Sequence, residues 1–210
     1  MTKIFIADDH VLILEGLKKI LREESDMIVV AEAQSAVETL QRIGKSECDV
    51  LLLDLSLPDK PGLEVLKEVK KRLPHLHVLI LSMFSEDAFA VRALKAGADG
   101  YLTKDSAAKE LVVALRKVAT GRKYVSETLS QKLADDVSGG GERLLHEGLS
   151  DREFQILRMI GAGKTVTHIA AELNVSVSTV NTHRTHILEK MGMHTNAELM
   201  HYAMENKLME

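Results

Sequence analysis

Over the first 120 residues, short apolar runs alternate with segments whose apolar residues recur at helical spacing. That alternation narrows the available folds more than any other feature of the chain. The runs lie at 4–7, 28–31, 50–53, 78–81 and 101–102. Val50, Leu51, Leu52 and Leu53 are apolar at every position, the pattern of a parallel strand covered on both faces. Between the runs, residues 10–24 carry Leu14, Leu17, Ile20 and Leu21 on one helical face, and residues 63–73 carry Val65, Leu66 and Val69 before Pro74. Residues 86–96 repeat the rule with Ala88, Val91, Ala93 and Leu94, and 106–120 with Leu111, Val112, Leu115 and Val118. The alternation predicts a doubly wound α/β parallel sheet with helices on both faces. No GxGxxG follows the first run and no GxxxxGK[ST] occurs anywhere, which argues against dinucleotide and P-loop chemistry.

Chemistry gathers where the strands end. The third run stops on Asp54, and a loop rich in breakers follows (Pro58, Asp59, Pro61, Gly62), so Asp54 stands at the edge where open α/β sheets place their ligands. The first run ends in Asp8-Asp9-His10, the fourth in Ser82 and the fifth in Thr103-Lys104. Three carboxylates at one sheet edge repel one another, and a hard divalent cation such as Mg2+ relieves them through oxygen ligands. A hydroxyl and an ammonium beside them suit the remaining oxygens of a phosphoryl group whose acceptor is Asp54, since a carboxylate is a competent nucleophile for an aspartyl phosphate. Taken singly, Asp8 or Asp9 serves equally as a helix cap, Ser82 as a turn residue and Lys104 as a solvated lysine. Their convergence on successive strand ends favours the shared site.

Asp8-Asp9, Asp54 followed by Leu-Ser-Leu-Pro, Ser82, and Lys104 with the preceding Tyr101 resemble the receiver domain of bacterial two-component response regulators, over residues 2–121. The resemblance implies a flavodoxin-like sheet of order 2-1-3-4-5. It also implies that Asp54 accepts a phosphoryl group from a sensor histidine kinase. Asp9 and Asp54 would bind Mg2+ directly with the Ser56 backbone carbonyl, and Asp8 through water. Lys104 would pair with the phosphoryl oxygens, Ser82 would hydrogen-bond them, and Tyr101 would follow Ser82 inward as a rotamer switch. Met83 departs from the family, which often has a small residue there; its bulk bears on the rates of phosphorylation and hydrolysis.

The pattern changes after residue 121. Residues 126–136 suit a short amphipathic helix with Leu129, Leu133 and Val137 on one face and Ser126 as cap. Ser138-Gly139-Gly140-Gly141 is the most flexible tetrapeptide of the chain and marks a boundary. The expected organisation is a domain over 1–121, a linker over 122–148 and an all-α domain over 149–210.

In that last part Ser150-Asp151-Arg152-Glu153 reads as a capping box opening a helix with Phe154, Ile156, Leu157 and Ile160 as its apolar side. A short helix near 166–173, a tight turn at Asn174-Val175-Ser176 and a third helix over 177–191 follow. Thr195-Asn196-Ala197-Glu198 opens a fourth. Two short helices joined by a tight turn are a helix-turn-helix signature, the later helix reading the major groove. Its outer side would present Ser178, Asn181, Thr182, Arg184, Thr185 and His183 or His186, side chains suited to base edges and phosphates. With 6 basic and 7 acidic residues over 150–210, the segment has no global attraction for nucleic acid, and a solvated polar face accounts for it as well.

The ordered fragments Leu149-Ser150-Asp151-Arg152-Glu153, Ile169-Ala170, Val175-Ser176, Thr179-Val180, His183, Lys190-Met191-Gly192 and Ala197-Glu198-Leu199 resemble the LuxR-type helix-turn-helix of NarL/FixJ-type response regulators. The resemblance implies contacts to double-stranded promoter DNA through Lys164, Ser178, Thr179, Asn181, Thr182, His183, Arg184, Thr185 and Lys190, and a dimer contact on the last helix. Asn181 stands where the family very often has Lys, which removes a phosphate or base contact.

The expectation is thus a two-domain transcription regulator, with a histidine kinase, promoter DNA, a second copy of the chain and RNA polymerase as partners. The single cysteine, the early acids and the lack of any apolar run near the ~20 residues of a membrane span point to the cytoplasm, with no membrane partner. An enzymatic reading is disfavoured, because an aspartyl phosphatase on such a sheet has a second acid where this chain has Ser56. The alternative is a regulator that never uses phosphate and is governed by dimerisation or partner binding.

Overall fold

The computed structural model describes residues 1–138 and 144–208. The expected Gly139–Gly141 break, and the side chains of Ala88, Leu133 and Val137, lie outside the described residues. The chain separates into two compact units, Met1–Gln131 and Lys132–Glu210.

The first unit is a five-stranded parallel sheet of β1 (Thr2–Ala7), β2 (Met27–Ala33), β3 (Val50–Leu53), β4 (His77–Ser82) and β5 (Gly100–Thr103). The order is β2-β1-β3-β4-β5, as expected. All four positions of β3 are buried, as are the last five of β4, because helices cover both faces. On one face Ile4, Ile6, Val50, Leu52, Leu79 and Leu81 pack with Leu14, Leu17 and Leu21 of α1 (Val11–Arg22) and Leu111, Leu115 and Val118 of α5 (Ala107–Ala119). The alternate residues Phe5, Leu51 and Leu53 point to the other face and are equally buried. The helix α3 (Gly62–Arg72) buries Val65, Leu66 and Val69, and α4 is Glu86–Lys95. Strand β2 at the sheet edge leaves Ile28 and Val30 exposed.

One helix has no counterpart in the periodicity: α2, Ala36–Arg42. Ser35 Oγ caps it by accepting from the Glu38 N–H at 3.1 Å, and the Asp59 carboxylate accepts from the N–H groups of Ala36 and Val37 at 2.7 and 2.8 Å. Two of the orphan donors of its first turn are thereby satisfied from the loop after β3.

Residues 122–131, read from the sequence as the start of a linker, lie within the first unit. Tyr124 forms a parallel bridge with Gly100; its N–H donates to Asp99 O at 2.8 Å and its carbonyl accepts from the Tyr101 N–H at 3.3 Å. Gly100 permits this approach, since a Cβ there would lie 2.8 Å from Tyr124 O and 2.9 Å from a Leu79 methyl. Ser126 Oγ donates to the Glu86 carboxylate and accepts from the Leu129 N–H, capping α6 (Glu127–Ser138) as the sequence predicts.

The second unit contains α7 (Asp151–Gly161), α8 (Val166–Glu172), α9 (Val177–Met191) and α10 (Asn196–Glu205). Both predicted capping boxes form, Ser150 with Glu153 and Thr195 with Glu198. Phe154, Ile156, Leu157 and Ile160 of α7 are buried with Ile169, Val180, Ile187, Met191 and Leu199. Among the described residues no helix is long and apolar enough to cross a membrane.

Candidate functional sites: an acidic pocket and a helix-turn-helix

Parallel pairing of β1 with both β2 and β3 sets Ala7 beside Leu53, so the residues after each emerge side by side at the carboxyl edge of the sheet. Asp54 N–H donates to Ala7 O at 2.9 Å and locks that register one step further. Asp8 and Asp54 are each 1 % exposed and Ser82 is fully buried. Lys104, one residue past β5, folds back over the edge. Its Nζ donates to Asp54 Oδ2 at 2.7 Å and lies 2.7 Å from Asp8 Oδ2. The other Asp54 oxygen, Oδ1, accepts from the Ser56 N–H at 3.1 Å.

Burial pushes the Asp54 carboxyl above the usual carboxylate range, and the charge of Asp8 adds to the rise while Lys104 opposes it. Burial by itself would lower Lys104; its contacts with Asp54 and Asp8 outweigh that and hold the ammonium above the ordinary lysine range. One ammonium thus faces two buried carboxylates, and Asp9 adds a third. Asp9 Oδ1 is buried without a hydrogen bond, and Asp8 Oδ2 has the Lys104 ammonium that it shares with Asp54. An excess of buried anionic oxygens of this kind fits a hard divalent cation, and Asp8, Asp9, His10 and Asp54 offer ligand atoms within 4.8 Å of one another.

Two further predicted residues meet at the backbone of one residue, Phe84. Tyr101, 1 % exposed, donates its hydroxyl to Phe84 O at 2.9 Å, and Ser82 Oγ accepts from the Phe84 N–H at 3.3 Å. Met83, between them in sequence, is 57 % exposed and stands at the surface. Gly62 opens α3 tightly against Asp54: its N–H donates to Leu55 O at 3.0 Å, and a Cβ would collide with the backbone of Asp54 and Leu55.

In the second unit Ser178, Thr179, Asn181, Thr182 and Thr185 are exposed along α9, while His183 and Arg184 are half-buried. The cations have partners within the unit. Lys164 Nζ donates to the Glu172 carboxylate at 2.6 and 2.8 Å, Lys190 Nζ to Glu153 at 2.7 and 2.9 Å, and Arg184 Nε to Asn196 Oδ1. Burial works against the Glu153 charge, but Lys190 and the Ser150 N–H and hydroxyl prevail and hold its carboxyl down at about 2. The outer face of α9 is therefore chiefly hydroxyl and amide, side chains that can hydrogen-bond base edges and phosphates alike.

The fold and pocket define a receiver-type unit joined to a helix-turn-helix unit, and comparison with known proteins agrees on both. Residues 4–116 match the family described as the response regulator receiver domain, and residues 147–203 the family of bacterial regulatory proteins of the luxR type. The chain belongs to the response regulators that couple these two domains. It is 38 % identical over 218 residues to the oxygen regulatory protein NreC of Staphylococcus epidermidis, with 99 % of each chain covered. NreC of Staphylococcus aureus is 38 % identical over 215 residues at the same coverage. Among solved structures, RcsB of Salmonella enterica serovar Typhimurium, bound to the rprA promoter with the phosphomimetic BeF3-, is similar at 27 % identity and a TM-score of 0.69, covering 96 % of this chain and 97 % of that one.

Local sequence pattern gives His10 no role beside the acid pair. Its Nδ1 lies 2.8 Å from Asp9 Oδ1 and 3.1 Å from Asp8 Oδ1. Asp59, which ties the acceptor loop to α2, and Tyr124, which bridges to β5, were also passed over. Their partners are 22 or more residues away in sequence, beyond the reach of local pattern.

Proposed function

We propose that this protein is a phosphorylation-controlled transcription regulator whose acceptor is Asp54. A carboxylate oxygen of Asp54 attacks the phosphorus of a phosphohistidine on a sensor kinase; the P–N bond breaks and an acyl phosphate remains on Asp54. Asp9, Asp54 and the Ser56 carbonyl would hold Mg2+, with Asp8 acting through water. The bound ion supplies neutralisation of charge as the bond forms. Lys104 takes the phosphoryl oxygens, Ser82 donates its hydroxyl to them, and Tyr101 follows through the Phe84 peptide. That motion biases a bistable surface of the first unit toward self-association.

In the second unit, α9 reads the major groove of promoter DNA with Ser178, Thr179, Asn181, Thr182, His183 and Thr185, while Lys164, Arg184 and Lys190 exchange their partners for phosphate. Two copies would bind two half-sites, and the protein acts in the cytoplasm. The proposed functional bounds are 1–121 and 149–210, joined by 122–148, whose residues 122–131 belong to the first compact unit.

The observation that carries this reading is the buried Asp54 carboxylate held by Lys104 beside Asp8 and Asp9. The test is labelling with acetyl phosphate and Mg2+, read by intact mass and sedimentation on the native chain and Asp54→Ala. One added phosphoryl group, absent from the variant and accompanied by dimerisation, is expected. Absence of labelling with undiminished promoter binding would establish the phosphate-independent regulator instead.

A further inference from the structure

We propose that Asn181 sets the DNA sequence this protein prefers, by holding an adenine through a bidentate hydrogen-bonded pair in the major groove. The inference rests on α9 being the helix that enters the groove, and it names the base that the helix reads. Ser178, Asn181, Thr182 and Thr185 are all exposed, and their spacing of three and four residues stacks them as one stripe along α9. Val180, Ile187 and Met191 of the same helix are buried. The stripe carries no cation: Arg184 is half-buried beside it, and Lys190 is held by Glu153.

The hydroxyls on either side of Asn181 are engaged within the chain. Ser178 Oγ lies 2.7 Å from Ser176 Oγ, and Thr182 Oγ1 donates to Ser178 O at 3.1 Å. The second bond turns the Thr182 hydroxyl back onto the helix and leaves its methyl group for a ligand. Asn181 itself is exposed and makes no hydrogen bond among the described residues. Asparagine inside a helix is a poorer helix former than Ala, Lys or Gln, so at this position it weakens α9 and caps nothing in return. Its amide offers an acceptor and a donor side by side, the complement of adenine N6 and N7. Guanine presents two acceptors on that edge and cytosine a donor, so neither satisfies both halves of the amide. The N-terminal part of a recognition helix is the part that reaches base edges, and Asn181 lies in the first half of α9. The Thr182 methyl beside it suits the C5-methyl of a thymine. The half-site therefore carries an adenine read by Asn181 and a thymine close to it.

The experiment uses the full chain, treated with acetyl phosphate and Mg2+, to select duplexes from a library of random sequence, and the bound pool is sequenced. The native protein is compared with Asn181→Ala. Asn181 is exposed and Ala is the better helix former, so the variant is expected to fold, checked by its thermal melt. The native chain should enrich adenine at one position of each half-site, and Asn181→Ala should lose that preference while keeping the others. Replacing the selected adenine by 7-deazaadenine, which still pairs with thymine but lacks the N7 acceptor, should weaken the native chain by about fivefold or more. The same replacement should leave Asn181→Ala unchanged. A contact from Asn181 to phosphate would instead weaken every duplex alike. An Asn181→Ala pool with the base preferences of the native pool therefore overturns the inference, as does an Asn181-dependent position that is not adenine. A native chain that selects nothing, or selects without preference, overturns the reading of α9 itself, and the inference with it.

Discussion

Glu153 shows how one side chain holds together the entry to the DNA-binding unit. It is 4 % exposed, closes the capping box with Ser150 and accepts both hydrogen bonds of Lys190 from α9. Its carboxyl is held at about 2 in the folded unit, lowered from 4.5. A depressed carboxylate contributes stability that is complete above the unfolded value and lost as pH falls toward the folded one. The C-terminal unit should therefore lose stability between about pH 4.5 and 2. Replacing the anion in Glu153→Gln should cost about 1.5–3 kcal/mol at pH 7, the range for a hydrogen bond to a charged group, and should flatten the acid limb. Urea melts at pH 7 and pH 3 on both proteins measure it. The pair also bears on recognition: a Lys190 bound to Glu153 reaches phosphate only by exchanging one anion for another, so the variant should bind DNA with a steeper salt dependence.

At the scale of elements, the position of Asp54 is set by how closely α3 starts behind β3. Gly62 permits that start because any Cβ would meet the Asp54 and Leu55 backbone. Gly62→Ala must push the helix and the acceptor apart, at about 1–3 kcal/mol for overpacking, and should slow acetyl-phosphate labelling more than it lowers the melting temperature of the unit. Parallel rates for variant and wild type would show that the loop absorbs the methyl group. The five strands were legible in the sequence because a buried parallel strand is apolar at every position, as Val50 to Leu53 are. The acids were legible because they interrupt such runs abruptly. The helix α2 was not: its seven residues carry little pattern, and the Asp59 carboxylate that satisfies its first turn comes from a loop 22 residues on. Pairing of the α9 lysine with an acid 37 residues earlier was hidden for the same reason. Residues whose roles depend on chain-distant partners announce themselves only by type.

For the molecule as a whole, two compact units with separate cores predict separable folding. A fragment of residues 144–210 should unfold cooperatively on its own, followed by circular dichroism, with a midpoint unmoved by acetyl phosphate. A fragment that stays unfolded would mean that the second core depends on the first. The sheet order has a different consequence, for the growing chain. Asp8, Asp9 and Asp54 are made early, whereas the lysine that bridges two of them arrives 50 residues after Asp54 and only once β5 has paired with β4. A chain halted before that point carries its acids with no ammonium between them. The last strand of the sheet to be synthesised is thus the one that completes the pocket, and on the proposed reading an unfinished copy stays silent.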